Sequence, residues 1–506
     1  MAYLLSEEAQ DLLKDVKDFC DNEIREQIKA YDESGEWPAE LYAKAQELQL
    51  HMMDVPEEYG GLGLGCTGSC ILADHIHGWM PGIGRIVVGN MNGGLMQVID
   101  HGTEEQKKRF LPDIASGEVG AVVITETTAG TDAAGIRVEA KKVGDEYILN
   151  GKKRFIVGAG IANRYFVYAQ TSTDPEAIKK HKHLTCFMLH KGAKGFTTEK
   201  INEILAFQNV QNGSLNFKDV HIPEADRIGE EGEGFKIMMG GLNFERTNIA
   251  AGTIGWNRLL LRNVVPYALR RVQFGKPTSD ILSNNDKVAN IIMRLISIRD
   301  SVYYTAYAWD QGEDITVEAS AIKCFGAEQT LLSGNDATQI MGGDGVNRFY
   351  PVQNIYEVAK TEHVAGGTVE ACRLTIYSQT LKRWKDDIQM TRRVIDEKLG
   401  VPVPVNEPVE KKEACTAENV LKVLAEDYRP NPGLHMTIED IQWYIDGSAE
   451  DIIKVLEELE KAGDVWTYRK KGQIQLARAS YTGLEKAFPE EHYLWFPDFI
   501  TEDRRF

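Results

Sequence analysis

The chain has 506 residues, of which 43% are hydrophobic and 26% charged, so it can bury large cores without a disulfide or a metal, and wholesale disorder is excluded. The formal net charge of −19 argues against a general nucleic-acid-binding protein, which needs a basic surface. No window has the roughly 18 consecutive apolar residues of a membrane span. Seven sparse cysteines, with no second pair beside Cys66 and Cys70, predict reduced thiols in a cytoplasmic protein without a metal site.

The order of local patterns along the chain predicts an α+β protein of several domains. Helical spacing of apolar residues dominates residues 1–120 and begins after Ser6, a residue type typical of helix N-caps. Long helical patterns return over residues 231–390. Between them, short runs that favour β-strands predict a β domain over residues 121–230, at 121–124, 147–149, 165–169, 185–189 and 213–217. Separate blocks of helices and strands favour separate domains over a doubly wound sheet.

The end of the chain reads as an addition to this core. Residues 391–415 include three prolines within seven residues and predict an extended linker. Residues 416–506 predict a small independent domain with three helices followed by a hairpin, an order typical of winged-helix domains. The expected helices are 417–428, 438–445 and 449–462, and the expected hairpin strands are 465–469 and 473–477.

Five motifs rich in glycine or polar residues occur in a fixed order within the first 385 residues. Each is weak evidence alone, since a loop dense in hydroxyls and glycine is more often a turn than a cofactor loop. Such loops can, however, direct backbone N–H groups and hydroxyls toward a polar cofactor. The motifs lie at residues 125–132, 150–160, 270–277, 339–345 and 366–370.

Together these motifs resemble those of the acyl-CoA dehydrogenase family, and the resemblance covers about residues 1–385. It implies a helical N-terminal domain, a β-barrel-like middle domain and a C-terminal four-helix bundle. It also implies non-covalently bound FAD, an acyl-CoA substrate, an electron-transfer flavoprotein as the electron acceptor, and a homo-oligomer, either a tetramer or a dimer.

The resemblance also assigns cofactor contacts position by position. Phe155 stands where the family usually has tryptophan, Val157 where it usually has a threonine near flavin N5, and Glu370 where glutamine is commoner. Arg271 is expected to reach the cofactor of a neighbouring subunit. The expected FAD contacts are Thr125, Thr131, Phe155, Val157, Arg271, Phe274, Gln339, Gly343, Thr368 and Glu370.

The resemblance implies that the catalytic base is not at the position where the family most often carries it. Many members carry a glutamate just before the Gly-Thr of the last motif, where this chain has Gly366. A minority, including isovaleryl- and long-chain-type enzymes, carry the base on an earlier helix, where this chain has Glu245. We therefore expect Glu245 as the base, the Gly366 backbone N–H as a donor to the thioester carbonyl, and Asn243 and Arg246 on the substrate side.

The expected reaction removes a proton from Cα through Glu245 and passes a hydride from Cβ to flavin N5, which gives a 2,3-enoyl-CoA. A short, branched or cyclic acyl group is favoured. Arg85 lies near the expected acyl pocket, but its spacing misses the glutaryl-type pattern by one residue, so a surface or packing role is preferred. The alternatives are an acyl-CoA oxidase or enoyl-CoA reductase of the same fold, and a non-catalytic interaction protein.

The tail is not expected to bind nucleic acid. Residues 391–506 contain 16 Lys and Arg against 23 Asp and Glu, and the third expected helix carries Asp451, Glu457, Glu458 and Glu460. Carboxylates on that helix repel phosphates. A protein contact is favoured instead, and it is expected to use aromatic residues of the tail. These are Trp466, Tyr468, Tyr493, Trp495 and Phe496.

Overall fold

A computed structural model describes residues 6–24, 35–90, 94–383, 412–428 and 435–489. Contacts divide the chain into two units, Met1–Thr380 and Leu381–Phe506. Residues 384–411 lie outside the described residues and include most of the predicted linker, 391–411 of 391–415; Tyr493, Trp495 and Phe496 also lie outside them.

The first part of the chain is helical, as predicted. The Ser6 hydroxyl accepts a hydrogen bond from the Ala9 amide at 3.2 Å and caps the first helix, which then buries Leu12 and Val16. Thr103 and Gln106 form a reciprocal capping box at the start of the sixth helix. The helices are α1 (Glu7–Phe19), α2 (Ala39–Glu47), α3 (Gly65–Ile76), α4 (Pro81–Asn90), α5 (Met96–His101) and α6 (Glu104–Ala115).

The middle of the chain forms an eight-stranded sheet. The five predicted β runs lie in strands, except for Ile124 at the end of the first run, whereas three strands were missed, β2, β6 and β8. Strands β2 and β6 each bury a single residue, and β8 has only two residues. One short helix, α7 (Pro175–Lys179), interrupts the strands, which are β1 (Gly120–Val123), β2 (Glu139–Val143), β3 (Glu146–Ile156), β4 (Arg164–Gln170), β5 (Leu184–His190), β6 (Phe196–Ile201), β7 (Gly213–Pro223) and β8 (Arg227–Ile228).

The strands follow the order β6-β7-β3-β2-β4-β5-β8, and β1 pairs in parallel with β4. Within the described residues no pair joins the end strands β6 and β8. Strand β8 has two residues, and five of the six residues of β6 face solvent. The β-barrel-like arrangement stays an expectation from the resemblance.

Residues 234–383 form the second helical domain. Helix α8 spans 37 residues and is buried over most of its middle turns against α3, α9 and α10. The described residues contain five helices here, not four. They are α8 (Gly234–Arg270), α9 (Leu282–Asp310), α10 (Thr316–Met341), α11 (Val352–Glu362) and α12 (Val369–Arg383), with a hairpin of β9 (Val272–Gln273) and β10 (Lys276–Pro277) after α8.

The second unit has its own hydrophobic core, built around Val420, Leu424, Ile441, Leu456 and Ile474. Its three predicted helices agree with the structure to within one residue, and β12, β15 and β14 form a three-stranded sheet in that order. The elements are β11 (Glu413–Ala414), α13 (Ala417–Tyr428), β12 (Met436–Thr437), α14 (Ile438–Tyr444), β13 (Ile445–Asp446), α15 (Ala449–Lys461), β14 (Val465–Lys470), β15 (Gln473–Ala479) and α16 (Tyr481–Ala487). Among the helices of the described chain, none has the length and apolarity needed to cross a bilayer.

Close contact between α3 and α8 predicts opposite effects for the same substitution at two glycines of α8. A methyl group at Gly255 would lie 2.1 Å from the Asp74 carbonyl oxygen, whereas one at Gly240 would meet nothing within 4 Å. Gly255→Ala is expected to lower the free energy of unfolding by about 1–3 kcal/mol, because the backbones must separate. Gly240→Ala is expected to raise it by about 0.5–1 kcal/mol through helix propensity. Urea unfolding of both FAD-loaded variants measures the difference, and equal effects would contradict the packing.

Candidate active site

Helix α8 carries the expected base on its fourth turn. The Glu245 side chain is half-buried between the buried neighbours Phe244 and Arg246. Its carboxylate is close enough to two other elements to affect their titration. Together with the larger effect of burial, it raises the pKa of the Tyr168 hydroxyl on β4 and of the Glu362 carboxyl at the end of α11. Glu245 therefore faces the junction of the sheet and the second helical domain.

Arg246 joins this helix to the last sequence motif. Its side chain is buried and donates from Nε to the Gly366 carbonyl oxygen at 3.1 Å and from Nη1 to the Ser320 hydroxyl at 3.2 Å. Asn243, one turn earlier, donates to the Thr316 hydroxyl at 3.0 Å. The guanidinium thus fixes the loop that contains Gly366 directly beside the turn of α8 that carries Glu245.

Gly366 has a backbone conformation and surroundings that exclude the usual glutamate. Its φ is +62°, and an added Cβ would lie 2.7 Å from Cδ1 of Ile249 on α8. A side chain here would be strained and would displace Ile249. Among the described residues, no backbone or side-chain acceptor takes a hydrogen bond from the Gly366 amide. That N–H group is therefore available to a ligand.

Two residues that the sequence analysis did not identify lie beneath the same loop. The ammonium of Lys323 on α10 is completely buried and donates to the Gly367 carbonyl oxygen at 2.6 Å, and burial lowers the pKa of Lys323. The Cys372 thiol lies 3.7 Å from the same oxygen. A hydrogen bond from Cys324 and the charges of Arg246 and Lys323 lower the pKa of Cys372 to about 6. Nothing in the sequence marks these residues, because they approach the loop from different helices.

A buried ion pair lies next to Glu245. Arg85 on α4 donates from Nη2 to Oε2 of Glu362 at 3.1 Å, and the exposed fractions of these side chains are 12% and 0%. Burial raises the pKa of Glu362, although the charges of Arg85 and Lys323 oppose that effect. The sequence analysis preferred a surface or packing role for Arg85, and the structure gives it a buried carboxylate partner.

The segment after β1 is held against β3 by a second buried pair. Lys153 donates to the Ile124 carbonyl oxygen at 2.7 Å and lies 2.9 Å from Oε1 of Glu126, and burial lowers its pKa to about 8. The Arg154 amide donates to the Thr125 carbonyl oxygen at 2.9 Å. This places Thr125 beside the part of β3 that carries Phe155 and Val157.

Phe155 occupies a bulge in β3. The pairing of β3 with β7 shifts register between Lys153 and Ile156, and Phe155 adopts a φ of +57°. The bulge turns its ring outward, so 49% of the side chain is exposed although Lys153 and Ile156 are buried. A bulky residue in this conformation is strained, and such strain clusters at ligand sites.

A separate group of expected cofactor residues lies at the far end of α8. The Tyr267 hydroxyl donates to the Met341 carbonyl oxygen at 3.2 Å and to the Asp344 carboxylate at 2.8 Å, which brings residues 339–345 to the turn that precedes Arg271. Phe274 follows in the β9–β10 hairpin with a φ of +53° and is 94% exposed. Gln339 and Gly343 are exposed beside this group.

The expected site residues therefore fall into three groups. The first group is Glu245, Arg246, Gly366 and the half-buried Thr368, with Glu370 exposed on the first turn of α12. The second is Thr125, Phe155 and Val157, with Thr131 exposed in the loop that follows. The third is Arg271, Phe274, Gln339 and Gly343. From Glu245 to Arg271 the helix advances about 39 Å, at 1.5 Å per residue.

These residues fit a flavin dinucleotide. Phe155 and Phe274 present apolar rings to solvent from strained backbone, which a planar cofactor would cover. A methyl group at Gly342 or Gly343 would meet nothing within 4 Å, so the backbone there is open to close approach. Exposed Arg271 beside it offers the planar cation that suits a pyrophosphate.

Comparison with known proteins defines the class. Residues 6–118, 121–220 and 232–381 match the models of the acyl-CoA dehydrogenase N-terminal, middle and C-terminal domains. An acyl-CoA dehydrogenase of Bacillus subtilis (strain 168) is 33% identical over 374 residues, which cover 74% of this chain and 97% of that protein. A mitochondrial isovaleryl-CoA dehydrogenase of Oryza sativa subsp. japonica is 32% identical over 383 residues, covering 75% and 93%. Butyryl-CoA dehydrogenase from Megasphaera elsdenii superposes with a TM-score of 0.72 at 31% identity, covering 74% and 99%.

The chain has a helical domain, a sheet domain and a second helical domain in this order, and a motif loop is fixed beside a turn of α8 that carries a carboxylate. This arrangement is that of a flavin-type oxidoreductase. The chain belongs to the acyl-CoA dehydrogenase family, whose members are FAD-dependent oxidoreductases. The matched residues end at 381, so the second unit is outside the family match.

The buried Glu362 predicts a specific pH dependence of stability. Burial raises its pKa in the folded chain above the ordinary value of 4.5, so the folded state retains the proton longer than the unfolded state. The stability that this proton contributes is complete below about pH 4.5 and is lost as pH rises through the raised pKa. In urea titrations, the free energy of unfolding of the wild type minus that of Glu362→Gln is expected to fall over this window by up to about 1.4 kcal/mol per pH unit. A difference that stays constant from pH 4.5 to 7 would contradict the prediction.

Proposed function

We propose that the chain dehydrogenates an acyl-CoA between Cα and Cβ, with Glu245 as the base. The observation that carries this proposal is the hydrogen bond from Arg246 to the Gly366 carbonyl oxygen. It fixes the loop with the available Gly366 N–H group against the turn of α8 that carries the half-buried Glu245. The usual alternative, a glutamate at residue 366, is opposed by the φ of that residue and by Ile249.

FAD, when bound, supplies the hydride acceptor for this reaction. We propose that Thr125, Phe155 and Val157 face the flavin ring, that Thr131 lies toward the thioester, and that Thr368 and Glu370 contact the adenosine part. Arg271, Phe274, Gln339 and Gly343 would hold the pyrophosphate and adenine end of the cofactor of a neighbouring subunit. The exposure of Phe274 and of apolar Leu269 and Leu282 supports a subunit contact at this end of α8.

The residues of the chain divide the proton chemistry between them. The Gly366 N–H would donate to the thioester carbonyl oxygen and stabilise the charge that develops there as Cα loses its proton. An oxygen of the Glu245 carboxylate would accept that proton. Arg246 positions both groups, since it is bonded to the Gly366 carbonyl oxygen and follows Glu245 on the same turn.

The finer assignments are proposals of the same kind. A short, branched or cyclic acyl group suits a helix-borne base and a glycine at 366, and an electron-transfer flavoprotein would reoxidise the flavin.

All seven cysteines are free thiols, which supports a cytoplasmic location. The order of α13, α14, α15 and the β14–β15 hairpin supports a winged-helix-type tail. Acidic α15 and exposed Trp466 and Tyr468 favour a protein contact for it over a nucleic acid.

Anaerobic mixing of the FAD-loaded protein with a panel of acyl-CoAs tests the proposed function. We expect loss of the oxidised flavin absorbance with at least one short or branched acyl-CoA, and formation of the 2,3-enoyl-CoA. Stoichiometric oxygen consumption in air would indicate an oxidase, and turnover only from the enoyl side a reductase. A purified protein that cannot be loaded with flavin would indicate a non-catalytic interaction protein.

Glu245→Gln is expected to keep FAD and to lose at least about 10²–10⁴-fold in the rate of flavin reduction, because the amide cannot accept the proton. Glu328→Gln is the matched control, since Glu328 lies on α10 in an exposed pair with Arg373. Full turnover of Glu245→Gln with bound FAD would exclude Glu245 as the base. If Glu362→Gln lost turnover while Glu245→Gln kept it, the base would be Glu362.

A further inference from the structure

A cavity of about 490 Å³ lies between α1, α3, α8 and α9, away from the residues proposed for catalysis. Arg258, which contributes its α8 wall, is thirteen residues beyond Glu245, or about 20 Å along the helix axis. The volume is within the range of about 300–1,000 Å³ that is usual for small-molecule sites. Its walls are Gln10, Leu13, Lys14, Lys17, Asp18, Thr67, Asp74, His75, Arg258, Arg299, Tyr303, Tyr304 and Tyr307.

The charge of this cavity is opposite to that of the whole chain. Four cationic side chains line it against two carboxylates, a formal excess of two positive charges in a protein whose net charge is −19. One carboxylate, Asp74, is already compensated within the wall, because Arg258 lies 2.8 Å from Oδ1 and 2.9 Å from Oδ2 and the Tyr303 hydroxyl donates to Oδ2 at 3.3 Å.

The remaining cations of the lining are on α1 and α9. Lys14 and Lys17 are exposed on the same face of α1, one turn apart, and Arg299 lines the cavity from α9. Arg299 also donates from Nε to Asp300 at 2.8 Å, and Asp300 is not part of the lining. Because only Asp18 opposes these three charges in the lining, an anionic group beside them gains electrostatic attraction.

The body of the cavity is aromatic. Tyr303, Tyr304 and Tyr307 lie on neighbouring turns of α9, and Leu13 faces them from α1. Tyr304 and Tyr307 are 62% and 54% exposed, so their rings are available for stacking. Flat aromatic walls next to cations suit a molecule with a ring system and an attached anionic group.

We propose that this cavity binds a small organic anion that carries an aromatic ring, at a site distinct from the acyl-CoA site. The ring lies against Tyr304 and Tyr307, and the anionic group lies among Lys14, Lys17 and Arg299. The proposal does not depend on the proposed dehydrogenase function.

Two fluorescent probes of the same shape test both halves of the proposal on the FAD-loaded protein. 8-Anilinonaphthalene-1-sulfonate has the ring system and an anionic group, and N-phenyl-1-naphthylamine has the ring system alone. We expect saturable binding of one sulfonate probe per chain, at least about tenfold tighter than the neutral probe and weaker at high salt.

Variants locate the binding. The double variant Lys17→Met/Arg299→Met is expected to weaken the binding of the sulfonate probe by about tenfold or more, with little effect on the binding of the neutral probe. Lys142→Met/Lys152→Met on the sheet is the matched control with the same change of net charge, and it should bind as the wild type does. The double variant Tyr304→Ser/Tyr307→Ser should weaken the binding of both probes. FAD content and flavin reduction should be unchanged in all three.

Three results would overturn the proposal. The first is equal affinity for the two probes, which means that the cations contribute nothing. The second is the same affinity in the Lys17→Met/Arg299→Met and control variants, which places the probe elsewhere. The third is absence of saturable binding to the wild type, as would follow if a second copy of the chain covered the tyrosines.

Discussion

The hydrogen bond between the Arg246 guanidinium and the Gly366 carbonyl oxygen connects the two segments from which the site is built. It joins the buried Arg246 side chain on α8 to a loop 120 residues later in the chain. A charge-assisted hydrogen bond is stronger than a neutral one. Because Glu245 precedes Arg246 directly, any movement of the loop relative to α8 also changes the distance between the carboxylate and the Gly366 amide.

Several further charges are buried around this bond, and each has a partner. Lys323 donates to the carbonyl oxygen of the next residue, Gly367, and Arg85 pairs with Glu362. Burying such groups is costly, and a pair of this kind is seldom the most stabilising solution. A concentration of them beside one loop is more typical of a functional site, where charges set the geometry and proton affinity of reacting groups.

The sequence predicted the segments of this site better than its contacts. The order of helical and β patterns agrees with the helices and strands of the structure. The family resemblance assigned roles to Glu245 and Gly366, and Arg246 hydrogen-bonds the Gly366 carbonyl oxygen. Lys323 and Glu362 were missed because their role depends on which turns of α10 and α11 meet the loop, and no local pattern records that. The outward ring of Phe155 depends on a bulge, which is a property of the pairing of β3 with β7 and not of β3 alone. For Arg85, the spacing missed the glutaryl-type pattern by one residue, and no sequence feature revealed its carboxylate partner Glu362.

The geometry of α8 also bears on assembly. Glu245 and Arg271 are 26 residues apart on one continuous helical path, or about 39 Å. A single flavin whose ring lies beside Glu245 would have to span that length to place its pyrophosphate at Arg271 of the same chain. The ribityl and pyrophosphate link is too short for this, so on the proposed assignment the two groups would contact different cofactor molecules. The exposed, strained Phe274 and the apolar residues around it would then contribute to the cofactor site of a neighbouring subunit. On that proposal an isolated subunit would have an incomplete cofactor site.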